Sequence, residues 1–344
     1  MTTFNIENYL DSLYEDIKEI NIESLDIRYL PSLAKFKNLQ TLYCANNQLT
    51  TLPDLPENLE CLYCNNNQLT SLSTLPEKLQ YLSCTNNQLT ALPALPENLE
   101  FLCCEYNQLM SLPALPEKLE YLYCNHNQVT SLPILTEKLQ YLNCNNNQLT
   151  YLPTLPEKLP YLYCSYNQFT SLPTLPEKLQ YLSCNNNQLT SLPALPENLQ
   201  YLYCQHNQLT SLPALPNTLT TLYCDNNQLT SLPPLPETLK NLYCDNNRLT
   251  SLPELSENIQ KLCYIDNPIY QVINSNNLFV IKRKIQILNR LRTLYYFTKY
   301  KNRFKNWLWE KIRKPKIDEK YHPNYLLLHL ADENADLETV FNDW

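Results

Sequence analysis

The residues best suited to chemistry in this chain are its cysteines. Eleven of the 14 recur at one fixed interval: Cys44, Cys64, Cys84, Cys104, Cys124, Cys144, Cys164, Cys184, Cys204, Cys224 and Cys244. A metal or redox array is one interpretation, because thiolates bind zinc. A closed zinc site needs about four ligands that converge at ~2.3 Å, whereas equivalent residues on stacked strands lie in a line about 4.8 Å apart. We therefore interpret these cysteines as small buried apolar side chains and predict no metal and no cofactor.

The remaining candidates for chemistry lie too far apart to act together. Cys61 and Cys103 fall on outward-facing positions about two strands apart, roughly 10 Å, which is too far for a disulfide. His126 and His206 are separated by four repeats, roughly 20 Å. The chain has no recognisable Ser/His/Asp arrangement, no Gly-rich phosphate loop and no H-E-x-x-H motif. The sequence therefore predicts a protein that is not an enzyme.

All these residues are positioned by one short repeating unit. The pattern LxxLxCxxNQLTSLPxLPEK recurs in eleven copies over residues 39–258, after an irregular repeat at 17–38 and before a degenerate one at 259–276. A repeat this short predicts a solenoid in which each unit is stabilised by its neighbours. We therefore expect residues 17–276 to form one body in place of two or three domains.

The pattern inside one repeat predicts a short strand followed by an extended return. Leu82 and Cys84 are two residues apart and face one side of a strand, whereas Tyr81 faces the other. Pro93 and Pro96 fix φ at about −65° and remove two backbone donors, so they exclude a helix and favour a polyproline-like path. One strand per repeat gives a parallel sheet.

A second series consists of asparagines at the turn after each strand. It comprises Asn47, Asn67, Asn87, Asn107, Asn127, Asn147, Asn167, Asn187, Asn207, Asn227, Asn247 and Asn267. A buried turn leaves backbone groups that a side-chain amide can pair, because it both donates and accepts. We predict a structural ladder that also includes Cys104, Cys124 and Cys144. Since the chain has no glycine, we expect asparagine runs such as 65–67 to supply the positive φ angles.

The outward positions of the strands are rich in aromatic residues. After Tyr43 and Tyr63, the expected binding residues are Tyr81, Phe101, Tyr121, Tyr123, Tyr141, Tyr161, Tyr163, Tyr181, Tyr201, Tyr203, Tyr223 and Tyr243. Tyrosine is enriched in binding surfaces because it offers rigid contact area with a polar tip. The alternative interpretation is that tyrosine simply suits strands and stacks on its neighbours. We predict a protein partner; a carbohydrate is a further alternative.

The repeat resembles the leucine-rich repeat family in its shortest, 20-residue class, which occurs in effectors of bacterial pathogens. The resemblance implies a right-handed superhelix with a concave parallel sheet, an extended convex side, helical caps and a protein partner on the sheet. Such effectors often continue into a ubiquitin-ligase domain with a catalytic cysteine. This alternative is disfavoured, because the segment that follows residue 276 is much shorter than such a domain and no cysteine follows Cys263.

The two ends of the chain differ from the repeats. Residues 1–16 have helical apolar spacing and are predicted to form an N-terminal helical cap. Residues 277–344 are predicted to form a basic helical extension. Its first helical stretch is expected to break near Tyr300 and to end at Pro315, and a short helix is expected at about 324–330. Residues 271–344 carry 14 Lys/Arg and 8 Asp/Glu, whereas residues 1–270 have a balance of −14. The extension is either a cap or a segment, over 282–320, that binds nucleic acid or another acidic surface.

The C-terminal end of the chain carries a second resemblance. Trp307–Lys311, Tyr321–Asn324, Asp336–Glu338 and Trp344 resemble a tail found on proteins of giant DNA viruses that infect amoebae. This resemblance implies a viral protein that engages host proteins, in the host cytoplasm or the virion. The chain has no apolar run that could span a bilayer and no apolar signal core near Met1, which is consistent with a cytoplasmic location.

Overall fold

The computed structural model describes residues 4–275 and 277–316. The chain divides into two compact units, residues 1–282 and residues 283–344. The first unit contains the repeats, and the second contains most of a long helix.

The first unit is built on one parallel sheet of thirteen strands in sequence order. Each strand has three residues: β1 Glu19–Asn21, β2 Thr41–Tyr43, β3 Cys61–Tyr63, β4 Tyr81–Ser83, β5 Phe101–Cys103, β6 Tyr121–Tyr123, β7 Tyr141–Asn143, β8 Tyr161–Tyr163, β9 Tyr181–Ser183, β10 Tyr201–Tyr203, β11 Thr221–Tyr223, β12 Asn241–Tyr243 and β13 Lys261–Cys263. From β2 onward, neighbouring strands pair equivalent residues of successive repeats, such as Tyr141 with Tyr161. The predicted leucine-rich repeat solenoid, with about twelve turns, is confirmed.

The core is a set of apolar columns that run the length of the stack. In the repeat that contains β7, Leu139, Leu142, Cys144 and Leu149 are all fully buried. From Cys44 to Gln260 no residue outside the strands is helical, so each return is extended apart from one turn. The prolines explain this path, because they remove the amide donors that a helix needs.

The turn asparagines bridge neighbouring repeats through side-chain hydrogen bonds, five at Asn47 and four at each of the others. Nδ2 of Asn147 donates to the carbonyl oxygens of Cys124 (3.0 Å), Cys144 (3.2 Å) and Asn145 (3.2 Å). Its Oδ1 accepts from the N–H of Val129 in the preceding turn, at 3.0 Å. Because the Asn147 side chain is buried, it supplies hydrogen bonds to backbone groups that water does not reach.

From Asn46 to Asp266, positive φ angles occur at one turn position per repeat, immediately before the ladder asparagine; the irregular first repeat has them at Ser24 and Asp26. Asn66 has φ 55°, while neither Asn65 nor Asn67 has a positive φ, so only the middle asparagine of the run has this role. The position also accepts other residues: Tyr106, His126, Tyr166 and His206 have φ of 53–54°. Left-handed backbone is costly for a residue with a bulky side chain, so these four substitutions for asparagine are notable.

The N-terminal helix is shorter than predicted. Helix α1 covers Ile6–Asp11, within the predicted cap, and it buries Ile6 and Leu10. Asn5 accepts a hydrogen bond from the N–H of Asn8 at its start, and the Ser12 hydroxyl donates to the Tyr9 carbonyl oxygen at its end. Capping at both ends limits the helix to this single short segment.

The helices after the repeats also differ from the prediction. Helix α2 covers Tyr270–Ile273, and helix α3 covers Leu278–Leu308 without the break predicted near Tyr300. No proline or glycine lies within α3 to interrupt it. A π-helical turn, Trp309–Arg313, follows, and Pro315 lies in helical backbone beyond it. The helix predicted over 324–330 and most of the virus-like tail lie outside the described residues.

Candidate protein-binding face

The outward-facing positions of the strands form one aromatic surface, which we call the tyrosine face. It consists of the first and third residues of β2–β12, and its aromatic members are Tyr43, Tyr63, Tyr81, Phe101, Tyr121, Tyr123, Tyr141, Tyr161, Tyr163, Tyr181, Tyr201, Tyr203, Tyr223 and Tyr243. The middle leucine of each of these strands is fully buried on the opposite side. Period-two alternation on a fixed register therefore places all fourteen rings on one face of the sheet.

Eleven of these rings form an unbroken stack along the solenoid. Neighbouring ring centroids lie 4.2–5.4 Å apart along the path Tyr43, Tyr63, Tyr81, Phe101, Tyr123, Tyr141, Tyr163, Tyr181, Tyr203, Tyr223 and Tyr243. Such distances are typical of favourable ring pairs. The stack rigidifies the surface before any partner binds.

From β5 to β10 the stack alternates between the first and third residues of successive strands. In β7 and β9 the third residue is small, Asn143 or Ser183, and the ring of the first residue joins the stack there. Tyr141 thus contacts Tyr123 at 4.6 Å and Tyr163 at 5.1 Å. Burial is the largest cause of the raised pKa of Tyr141 and Tyr181, and it raises the pKa of Tyr81 to about 12.

Three tyrosines project from the side of this stack. In β6, β8 and β10 the third residue is itself a tyrosine in the stack, so the first residue is left at the edge. Tyr121, Tyr161 and Tyr201 each touch one neighbouring ring at 5.9–6.1 Å. Tyr161 and Tyr201 are 40% and 39% exposed and are the most accessible rings of the face. Tyr121 has the same place at the edge of the stack but is half-buried, so Tyr161 and Tyr201 are the best placed of the three to contact a partner.

The rim beside the face repeats the same alternation. The residues at the positive-φ position after β6, β8 and β10 are His126, Tyr166 and His206, whereas those after β7 and β9 are asparagines. Tyr106, after β5, stacks on His126 with centroids 4.1 Å apart. The three strands with projecting tyrosines therefore also carry an aromatic rim residue.

The middle of the face has acidic groups without basic ones. In the segments 100–106, 120–126, 140–146, 160–166, 180–186, 200–206 and 220–226, the charged residues are Glu100, Glu105, Glu120 and Asp225. Burial is the largest cause of the raised pKa of Asp245, on the next repeat, and the charges of Asp225 and Asp266 add to it. A partner with positive charge is complementary to this surface.

The other chemical candidates do not assemble into a site. Within residues 4–275 and 277–316, no group of three or more His, Cys, Asp and Glu side chains could hold a metal ion. Cys61 and Cys103 are half-buried on the outer side of β3 and β5, and all 14 cysteines are free thiols. His126 accepts or donates a hydrogen bond with Asn146 at 3.3 Å, and His206 with Asn226 at 3.4 Å. Both histidines are rim residues.

The second unit presents a long basic surface. Residues 283–316 carry twelve Lys/Arg and one acidic residue, Glu310. The aromatic side chains among them are exposed: Tyr295, Tyr296, Phe297, Tyr300, Phe304, Trp307 and Trp309. Lys299 lies over the Tyr295 ring at 5.5 Å, and Arg303 lies 6.0 Å from the Tyr300 ring. No helix in the described part of the chain is both long and apolar enough to cross a membrane.

Sequence reasoning identified the tyrosine face but missed its two-strand period. The signal is present in the sequence: Y-L-Y-C at 121, 161 and 201 alternates with Y-L-N-C at 141 and Y-L-S-C at 181. The same alternate repeats carry His126, Tyr166 and His206. A comparison of the repeats taken two at a time would have found this pattern.

Comparison with known proteins agrees with this architecture. A sequence model of two leucine-rich repeats matches residues 57–97, 117–157 and 197–237, and a single-repeat model matches residues 38–59. A search of curated proteins found no match.

Several solved structures are similar to the chain. YopM from Yersinia pestis, a leucine-rich effector protein, is 34% identical, with 73% of this chain and 84% of that chain covered and a TM-score of 0.59. YopM from Yersinia enterocolitica is 31% identical over 74% and 77% of the two chains, with a TM-score of 0.51. The functional domain of InlJ from Listeria monocytogenes, which includes a cysteine ladder, is 27% identical over 68% and 64%, also with a TM-score of 0.51. The repeat, the thirteen-stranded sheet and these similarities show that the chain belongs to the leucine-rich repeat family.

Proposed function

We propose that the protein is a non-enzymatic scaffold that binds a protein partner on its tyrosine face. The observation that carries the proposal is the set of projecting tyrosines on a rigid aromatic stack. Tyr161 and Tyr201 are 40% and 39% exposed, each on a side of the stack that no other ring covers. Aromatic side chains on a preorganised surface are the residues that most often dominate the free energy of protein association.

The sequence resemblance of the C-terminal tail to giant-virus proteins extends this proposal. It favours a host protein of an infected amoeba as the partner. The leucine-rich repeat protein itself would then be located in the host cytoplasm or in the virion. Lysate of such a host is therefore the material in which to look for the partner.

The test is affinity capture with the triple variant Tyr121→Ala, Tyr161→Ala, Tyr201→Ala. The variant should fold, because these rings contact the stack only at its edge, and its unfolding free energy should fall by about 1–2 kcal/mol. We expect a partner captured by the wild type to lose at least about 100-fold in affinity, since each hot-spot tyrosine contributes roughly 1–2 kcal/mol or more.

The matched control is Tyr151→Ala. Tyr151 is 56% exposed but lies on an extended return, away from the sheet. The control should capture the same partner as the wild type. If the triple variant retains the partner with unchanged affinity, the tyrosine face is not the binding surface and the proposal is wrong.

A second candidate function is nucleic-acid binding by residues 283–316. The observation that favours it is the excess of eleven positive charges among exposed aromatic residues. Four consecutive exposed residues, Leu294 to Phe297, are apolar or aromatic and point around the whole circumference of the helix. A helix that lies on a membrane needs one apolar face, so this distribution favours a single strand that can stack on aromatics.

This candidate predicts a steep salt dependence for the full-length protein. Fluorescence anisotropy with a labelled single strand of about 20 nucleotides should show an affinity at least about 100-fold lower in about 200 mM than in about 50 mM salt. The variant Lys299→Gln, Lys301→Gln, Arg303→Gln, Lys305→Gln should reduce the slope of log affinity against log salt by about 3. Absence of binding at the lower salt concentration, or an unchanged slope in the variant, would exclude this function.

A further inference from the structure

The projecting tyrosines give the tyrosine face a longer period than the fold. Neighbouring strands lie about 4.8 Å apart, and Tyr121, Tyr161 and Tyr201 occupy every second strand. They therefore recur about every 9.6 Å along the solenoid. The rim residues His126, Tyr166 and His206 belong to the same three repeats, so two rows of aromatic side chains share this spacing.

A period of about 9.6 Å matches one kind of peptide backbone best. A polyproline II helix has about three residues per turn and a rise of about 3.1 Å, so the same side returns every ~9.3 Å. An extended strand returns to the same side every ~6.7 Å. In an α-helix the same side returns after about seven residues, or ~10.5 Å. This repeat differs from the tyrosine spacing by about 0.9 Å per period, whereas the polyproline II repeat differs by about 0.3 Å.

The chemistry of the face also suits such a segment. Proline-rich segments bind aromatic-lined grooves, because the prolines pack on flat rings and the preformed helix loses little entropy. The backbone carbonyls of polyproline II have no internal partner, and tyrosine hydroxyls can donate to them. The rings of Tyr141 and Tyr181 belong to the central stack, so the two strands between the projecting tyrosines carry no projecting ring of their own.

The acidic groups at the two ends of this region define the charge of the ligand. Glu120 immediately precedes β6, and Asp225 follows β11, with no Lys or Arg on the outer positions between them. Five strand spacings separate these two repeats, about 24 Å, which corresponds to roughly eight residues of polyproline II. Because Glu120 precedes its strand and Asp225 follows its own, a basic residue at each end of such a segment would extend to opposite sides of the axis to meet these acidic groups.

We infer that the partner presents a proline-rich polyproline II segment with a basic residue at each end, which lies along the solenoid axis across β6 to β10. This inference rests on the proposed function and names the class of partner. The ligand of the tyrosine face is then a segment of another protein, roughly eight residues long. Every third residue of this segment packs beside a projecting tyrosine.

The first test compares three peptides by fluorescence anisotropy with the full-length protein. One peptide has seven prolines between two arginines, which places the arginines ~25 Å apart. The second replaces the prolines with glycine and serine, and the third with an alanine-rich helix long enough to hold the arginines at the same separation. The proline peptide should bind at least tenfold more tightly than either control and should lose at least tenfold in the triple tyrosine variant.

A second variant tests the period itself. Asn146→Tyr with Asn186→Tyr adds aromatic rings in the gaps between His126, Tyr166 and His206. The fold should tolerate the added rings, because Tyr106 and His126 already stack as rim residues of adjacent repeats, and all these positions share φ of 52–54°. We expect the proline peptide to bind at least threefold more weakly, because the gaps are filled. Tighter binding would show a non-specific aromatic surface and would overturn the inference.

The remaining outcomes separate this inference from the proposed function. If the helical or Gly/Ser peptide binds best and loses affinity in the triple variant, the tyrosine face is a binding surface but its ligand is not polyproline II. If no peptide binds, the inference is also wrong. The proposed function is contradicted only by the capture experiment. That outcome would be a natural partner that the triple variant retains with unchanged affinity.

Discussion

Replacing Asn147 with leucine should lower the free energy of unfolding by about 3–5 kcal/mol. Leucine has a similar volume but pairs none of the groups that the amide pairs: the carbonyls of Cys124, Cys144 and Asn145, and the N–H of Val129. The N–H of Val129 loses its partner, which costs roughly 1–3 kcal/mol. The three carbonyls each keep a second donor, from Asn127, Asn167 and His126, so each loses only one hydrogen bond, worth about 0.5–1.5 kcal/mol. The measurement is urea denaturation followed by circular dichroism.

Gln148→Ala is the matched control for this substitution. Gln148 is the next residue, and its side chain is exposed, so its loss should change the unfolding free energy by less than about 0.5 kcal/mol. Repeats contact only their neighbours. The Asn147→Leu variant therefore also tests whether a destabilised turn makes the repeats on its two sides unfold in two separate urea transitions. An effect of Asn147→Leu as small as that of Gln148→Ala would show that the ladder does not stabilise the stack.

Eleven of the fourteen thiols should resist alkylation at least about 1000-fold better in the folded protein than in the unfolded one. The cysteine that follows each strand, from Cys44 to Cys244, is buried. Burial raises the pKa of Cys44, Cys124 and Cys184 to about 12. Since the thiolate is the reactive form, a raised pKa keeps these groups unreactive at neutral pH, and lack of access protects them further.

The three remaining thiols provide an internal comparison. Cys61, Cys103 and Cys263 are half-buried, and burial raises the pKa of Cys103 to about 11. Their thiolate fraction at neutral pH is small and grows about tenfold per pH unit up to the pKa, so their alkylation should accelerate as the pH rises from about 7 to about 9. Mass spectrometry after N-ethylmaleimide should find at most three adducts in the folded protein and fourteen in guanidinium chloride.

Cys103→Ser should remove one adduct from the folded protein and leave the others unchanged. If the buried series reacts in the folded protein as fast as in denaturant, the interpretation of these cysteines as packed apolar side chains is wrong. The same outcome would reopen the alternative of a reactive cysteine array.

The fold follows from the sequence because the repeat constrains it many times over. The spacing of Leu82 and Cys84 defines a strand, and Pro93 and Pro96 exclude a helix in the return. Near-identical copies must adopt the same conformation in every turn, so one correct interpretation of a repeat extends to about twelve turns. The ends lack this redundancy, and there the prediction was less accurate: α1 stops at Asp11, and α3 continues through Tyr300.

The details of the candidate site depend on packing between repeats, which a single repeat does not reveal. The ring of Tyr141 joins the stack because Asn143 is small and the neighbouring third residues, Tyr123 and Tyr163, leave a space between them. Tyr161 is displaced to the edge because Tyr163 already occupies the stack. Both tyrosines have the same place in the repeat pattern, so only comparison of adjacent repeats distinguishes a structural ring from one that can contact a partner.

Site-specific photocrosslinking tests the central claim most directly. Benzoylphenylalanine would replace Tyr161 in one protein and Tyr151 in another, because both side chains are exposed but only Tyr161 belongs to the tyrosine face. After capture from host lysate and irradiation, we expect a covalent adduct with the partner from position 161 and none from position 151. An adduct of equal yield from both positions, or from position 151 alone, would contradict binding on the tyrosine face.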